Sequence, residues 1–325
     1  MGPLPAGGPP GTVMAVNVEL PGLPAGLIDD RSAAAVAALA AEPGRVPLVI
    51  FEVPAGDVGP LVGEAFARAC LTDPAARRAD VRVCQPDGDR WSVAEVDTML
   101  IGPSRLRPTE RNMFVVAAAD AMDARCAEHL LKTVEEPAAA SLFVFLTPSA
   151  GVLLPTIVGR AGRVVQVRLA DPARRAAGLV AAGADPAVAS EAVALAGPLT
   201  ALAARAVQPG EKGAQALQCL RALALVPLAG PGPAGRAAQM VAACEQLAPS
   251  GPAAKAVVRD LCRHALRRWR SELSMAVPAV LDASGFAWVA NAAAALDAAE
   301  KDLGAYTSPL VTLTALFSRV GSLPG

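Results

Sequence analysis

Five short apolar runs separated by polar and turn-forming residues set the pattern of the first half of the chain. They fall at 47–51, 81–84, 113–118, 142–146 and 163–169. Each is too short for a helix, and those at 47–51, 113–118 and 142–146 are continuous rather than alternating, the pattern of a strand buried on both faces. Helical composition lies between them: an alanine-rich stretch at 29–41, then 61–71, 92–100, and a run from Asp120 through Thr133. Pro60 is expected at the first helical position of its segment, and Ser92 and Glu95 are spaced as a capping box. Strand and helix alternating over about 120 residues predict a parallel, doubly wound sheet.

Beyond Asp171 the pattern changes. No further β-branched run appears, and alanine-rich segments are divided by Gly and Pro at 183–186, 197–198 and 209–213, which predicts helix after helix. The Pro/Gly cluster at 227–235 reads as a linker, and the remainder of the chain is again helical, with a break at Ala305, Tyr306, Thr307, Ser308 and Pro309 before a last apolar helix.

Composition sharpens this picture. Hydrophobic residues make up 53% of the 325 and charged residues 18%, the excess being alanine with few aromatics, so the helices pack through small side chains. A formal net charge of -1 provides no global basic field toward nucleic acid or an anionic membrane. Six scattered cysteines (Cys70, Cys84, Cys126, Cys219, Cys244 and Cys262) lack the spacing of a disulfide scaffold and are expected as reduced thiols in or near cores. Charge, Gly or Pro interrupts every apolar run well short of the ~20 residues of a membrane helix, which predicts a soluble, cytoplasmic protein. The Gly/Pro-rich residues 1–26 are expected to be a disordered tail, and Met14 offers an alternative start.

The most specific signal is LLKTVEEP at 130–137, followed by LFVFLT at 142–147 and LLPTIVGRAGR at 153–163. In this order and spacing the three resemble the bacterial clamp-loader family, whose gamma and delta-prime subunits carry LLKTLEEP, a strand ending in the sensor-1 residue, and LPTI before Ser-Arg-Cys. The resemblance implies a AAA+ parallel-sheet domain at 27–169, a small helical lid at 170–226 and an all-α collar for oligomerisation at 227–325.

In that register the family's phosphate loop lies over 53–60. A working loop cradles phosphates with backbone N–H groups, neutralises them with lysine and holds magnesium with a hydroxyl. Here Val53 and Val58 replace its glycines, Gly56 is kept, and Gly59 and Pro60 stand where lysine and hydroxyl belong. The family strand ending in Asp-Glu-Ala-Asp corresponds to VVAAAD at 115–120, so Ala117 and Ala118 replace the magnesium-binding and water-activating acids and only Asp120 remains. Thr200 stands at the place of the lid's sensor-2 arginine. The resemblance therefore implies no ATPase activity, no nucleotide cofactor and no metal. The cysteine-rich zinc module of many delta-prime proteins is absent after Cys70, and Cys70 with Cys84 makes too few ligands.

Arg160 occupies the place of the arginine in Ser-Arg-Cys, with Gly159 and Ala161 beside it. In the family this arginine reaches the γ-phosphate bound by a neighbouring subunit, which makes Arg160 the candidate trans arginine finger. Two basic stretches compete for other roles. Arg259, Arg263, Arg267, Arg268 and Arg270 fall largely opposite an apolar helical face and are expected to be a solvated surface. Arg105, Arg107 and Arg111 lie in a region that the resemblance turns toward primer-template DNA. His129 and His264 have no nucleophile beside them in sequence and are expected to be structural.

The resulting expectation is a non-catalytic clamp-loader subunit of DNA polymerase III. Its partners would be the gamma/tau and delta subunits, with the sliding clamp and primed DNA reached through the complex, and no membrane. Two alternatives stand beside it: a diverged AAA+ paralogue acting as an interaction scaffold in a DNA-repair or regulatory complex, and an ATPase with rearranged residues, for which the loop holds no lysine.

Overall fold

A five-stranded parallel sheet of order β2-β3-β4-β1-β5 organises the first half of the chain. The computed structural model describes residues 20–42, 47–54, 58–87, 90–137, 139–230, 232–247, 254–276, 283–304 and 308–321. In chain order its elements are α1 (Asp30–Ala41), β1 (Leu48–Glu52), α2 (Val58–Ala69), α3 (Pro74–Ala79), β2 (Val81–Cys84), α4 (Val93–Glu95), a π-helical segment (Val96–Ile101), α5 (Gly102–Ser104), β3 (Asn112–Val116), α6 (Ala124–Glu135), β4 (Ser141–Thr147), α7 (Pro155–Val158) and β5 (Arg163–Gln166). Each apolar run is a strand, with ends that differ by no more than three residues.

Alternate side chains leave a strand on opposite faces, so a strand buried on both sides feeds two cores. Val49 and Phe51 of β1, Met113 and Val115 of β3, and Leu142, Val144 and Leu146 of β4 enter one cluster with Val36 of α1 and Val62 and Phe66 of α2. Leu48, Ile50, Phe114, Val116, Phe143 and Phe145 enter the other, with Val96, Leu100, Cys126, Leu130 and Val134. Each fully buried Val, Leu, Ile or Phe contributes about 1.5–3 kcal/mol. Helix α2 lies close on the sheet because Gly63 faces it: a Cβ there would come within 2.5 Å of Val115 Cγ1.

Side-chain caps fix where the helices begin. Asp29 accepts from Ser32 N–H (2.7 Å), and Ser92 and Glu95 form the reciprocal capping box. Helix α6 starts at Ala124, four residues later than its sequence suggests, because Asp123 accepts from Cys126 N–H (2.8 Å) and Asp120 sits in a preceding 3-10 turn, Ala119–Ala121. Pro60 is the third residue of α2 and not the first; a first-turn amide has no intrahelical partner, so the missing N–H costs nothing there. Residues 20–26, expected to belong to a disordered tail, form hydrogen-bonded turns, with Leu20 and Leu23 packed on the sheet's α1/α2 face. Apolar contact outweighs the Gly/Pro composition at that end. Residues 1–19, Gly56, and the break at Ala305, Tyr306 and Thr307 lie outside the described residues.

The second half continues as α8 (Pro172–Ala181), α9 (Pro186–Ala196), α10 (Thr200–Ala206), α11 (Glu211–Leu225), α12 (Pro233–Leu247), α13 (Ala254–Ala276), α14 (Ala283–Gly304) and α15 (Pro309–Val320). One apolar cluster runs through it from Ala176 to Val320, crossing the Pro/Gly segment at 227–235 without interruption. Arginines stitch that crossing. Arg236 donates to the carbonyls of Pro227, Leu228 and Gly230 (3.0, 2.7 and 2.6 Å) while lying 4.4 Å over the Phe317 ring. Arg268 donates to Leu223 O and Val226 O (3.1 and 3.0 Å), closing the C-terminal end of α11.

The basic face of α13 is therefore only partly the solvated surface its periodicity predicts. Arg259 is 8% exposed, Arg268 is engaged with carbonyls, and Arg270 pairs with Asp297 and Glu300 of α14. Helix ends leave orphan carbonyls, and a guanidinium reaches them from a neighbouring helix. His264 joins the same contact: its Nε2 meets Leu195 O at 2.9 Å, and a Cβ on Gly197 would fall 2.1 Å from its ring.

Burial lowers the His264 pKa from the ordinary 6.5; the bond to Leu195 O works the other way, and Arg268, Arg267 and Arg175 push down again. A base held neutral in the folded chain binds fewer protons than in the unfolded one, so stability falls as pH drops below about 6.5. Thermal melts between pH 7.5 and 5.5 are expected to show this loss, and H264Q, which cannot charge, to show a shallower slope.

Candidate functional site

The C-terminal ends of β1, β3 and β4 and the first turn of α2 converge at one edge of the sheet, where an open α/β sheet places its ligand. Val53 follows β1, and Val58, Gly59 and Pro60 open α2. Ala117 and Ala118 follow β3, and Thr147 ends β4. Val53, Val58, Gly59 and Ala117 are thus brought to one place, whereas Thr200 lies in the helical half.

That place is filled by hydrocarbon. Val53 (8% exposed), Val58 (0%), Ala117 (8%) and Leu146 (3%) share one buried cluster. A Cβ on Gly59 would stand 2.9 Å from Val53 Cγ2 and 3.4 Å from Leu146 Cδ1, so a lysine here would have to displace Val53 before reaching anything. The polar groups nearby serve the backbone. Glu52 accepts from Ala150 N–H (2.7 Å), and the Thr147 hydroxyl donates to Ser149 O (2.9 Å). Trp91, 3% exposed, donates its indole N–H to the carbonyls of Ala117 and Ala118 (3.1 and 3.2 Å).

Ala118 is the one described non-glycine residue with positive φ, at 48°. A left-handed conformation costs an L-residue about 1–2 kcal/mol. Ala118→Gly is accordingly expected to raise stability by about 0.5–1 kcal/mol, read as a higher urea midpoint.

Helix α13 borders the same edge. Desolvation holds the Asp120 carboxyl above its usual range, and Arg263 of α13 acts against that rise. An open cleft of about 290 Å³ lies between the two halves, lined by Glu52, Pro54, Gln166, Arg168 and Arg267 among others. Thr200 opens α10, and the adjacent Gly197 carbonyl accepts from Arg175. Among the described residues no three His, Cys, Asp or Glu side chains gather as metal ligands, and no helix is long and apolar enough to cross a membrane.

Arg160 stands apart from this edge, in the turn after α7. The turn is held by Gly159 N–H to Pro155 O (2.8 Å) and Arg160 N–H to Ile157 O (3.1 Å). Its guanidinium donates through Nη1 to Thr156 O (2.8 Å) and through Nε to the Glu135 carboxylate at the end of α6. Glu135 is the partner that sequence reasoning missed. Its signal was present in LLKTVEEP, where two adjacent acids close a helix against its own dipole.

The other candidates divide. Arg105 and Arg107 are exposed on either side of Leu106, itself 58% exposed, whereas Arg111 is half-buried and donates to Ser141 O (3.2 Å). That loop is fastened by Asp80, a buried carboxylate accepting from the N–H groups of Thr109, Glu110 and Arg111. His129 bridges exposed side chains, its Nε2 2.8 Å from Asp97.

The parallel sheet of this strand order, with helices on both faces and a helical half after it, defines an α/β domain with attached helical parts. Residues 65–170, about a third of the chain, match the family described as DNA polymerase III, delta subunit. The fold is similar to that of a Thermotoga maritima DNA polymerase III gamma subunit-related protein, with 16% identity and a TM-score of 0.50 over 90% of this chain and 100% of that one. More distant likenesses include the Thermotoga maritima RuvB Holliday junction branch migration motor (12% identity, TM-score 0.42, 61% of this chain and 64% of that one) and a point mutant of it (13%, 0.43, 61% and 64%). No curated protein matches the sequence.

Proposed function

We propose that the chain is a non-catalytic clamp-loader subunit of the delta-prime type. It completes a ring of AAA+ ATPases with gamma/tau and delta subunits in the cytoplasm, loads the sliding clamp on primed DNA through that complex, and offers Arg160 to a neighbour's ATP. The observation that carries this reading is the apolar cluster of Val53, Val58, Ala117 and Leu146 where a phosphate loop would lie, together with an arginine, away from that edge, whose side chain stays 38% exposed. Phosphoryl transfer depends on positioned charge, and Gly59, Pro60, Ala117 and Ala118 carry neither a cation nor a magnesium ligand for a triphosphate. The exposed Arg105 and Arg107 are the side chains available for phosphate contacts with DNA.

Calorimetry on the purified chain is expected to show no magnesium-dependent ATP binding, and turnover alone to be absent. Stoichiometric binding would refute the non-catalytic assignment. Co-purification with gamma/tau and delta subunits separates a clamp-loader member from a scaffold of another assembly.

A further inference from the structure

The Glu135 carboxylate sits where its own helix disfavours it. It is the last residue of α6, Glu136 comes next, and the last turn carries only Lys132 to offset two negative charges at the negative end of the dipole. What compensates it is Arg160, reached from a different element. The arginine in turn has two of its guanidinium nitrogens committed within the chain, Nη1 to Thr156 O and Nε to Glu135. Both side chains remain about two-fifths exposed, at 38% and 40%. An ion pair so open to water is easily exchanged. A phosphate group, carrying more charge and accepting two parallel N–H bonds, competes well for the same guanidinium.

We propose that Glu135 is a positioning residue that parks Arg160: it holds the guanidinium against α6 in the free chain and yields it when a neighbouring subunit presents the terminal phosphate of bound ATP. The pair then makes engagement depend on a loaded neighbour, since an empty one offers no anion to exchange for the carboxylate. This rests on the trans role proposed for Arg160.

The test uses the full-length chain reconstituted with the ATP-hydrolysing gamma subunits and delta, comparing wild type, E135Q and R160A. Glu135→Gln keeps shape and removes charge. It is expected to lower the chain concentration giving half-maximal ATPase stimulation by up to about fivefold, the scale of an exposed pair. The rate at saturation should stay within about twofold, and the melting temperature should not move. In the chain alone, the Arg160 Nε–Hε resonance is expected to shift in E135Q. A saturating rate that falls as in R160A would make Glu135 part of the finger's working pose and overturn parking. An unmoved half-maximal concentration, or an unmoved resonance, overturns it equally. If R160A leaves the ATPase unchanged, the trans role itself fails and parking with it, an outcome distinct from a normal R160A loss beside an inert E135Q.

Discussion

Replacing Trp269 by alanine is expected to destabilise the helical half by about 3–5 kcal/mol, the range for deleting a fully buried aromatic. Trp269 has no exposed surface and is the largest side chain buried so completely. Its ring meets Phe317 of α15 edge-on at 5.4 Å, and its indole N–H donates to Val226 O (3.2 Å). The substitution therefore opens a cavity and removes a donor from a carbonyl at the end of α11 together. Because one cluster spans Ala176 to Val320, the loss should lower the unfolding of the whole helical half and not of α13 alone. Urea unfolding followed by circular dichroism checks this, and Trp269→Phe, which keeps most of the volume, should recover much of the difference. A change under about 1 kcal/mol would mean the site collapses readily and the shared core is looser than its contacts imply.

The second large effect concerns activity in the assembled complex. Arg160→Ala is expected to leave folding and assembly nearly unaltered, because an ion pair this exposed contributes at most about 1 kcal/mol. In the trans role proposed for Arg160 it removes, at the neighbour's ATP, a cation whose equivalents in GTPases are worth roughly 10³–10⁵ in rate. Hydrolysis at the interface it serves should fall by on the order of 10³-fold, and clamp loading with it. Arg160→Lys should restore little, since an ammonium lacks the planar fork that meets phosphate oxygens. The measurement is ATPase per assembled complex, with size-exclusion chromatography confirming that the variant is incorporated. Unchanged hydrolysis in an intact complex would remove Arg160 from the mechanism.

Local chemistry carried much of the fold. Runs such as LVIFE and NMFVV place apolar residues on both faces, so they announce strands buried on two sides, and Asp29, Ser92 and Asp123 announce helix starts through their own side chains. The proposed loss of an ATP site rests on similar local chemistry: catalysis of phosphoryl transfer requires particular groups at particular places, and Gly59, Pro60, Ala117 and Ala118 cannot supply them. The role of the α13 arginines was not legible. Periodicity reports which side of a helix is apolar but not what another helix end brings to the polar side, and only packing set Arg268 on the carbonyls of α11.

By itself, then, the sequence determined the alternation of strand and helix, and it set Gly59, Pro60, Ala117 and Ala118, which bear no cation and no metal-binding group, and Arg160 at their places in the chain. These are properties of residues and their near neighbours. The tertiary structure alone decided three things: that Val53, Val58 and Leu146 pack together at the C-terminal ends of the strands, that one core crosses the Pro/Gly segment, and that Arg160 rests against Glu135. Each depends on groups from distant segments meeting in space, through burial that no local pattern encodes and through charges whose partners are fixed only once the helices have docked.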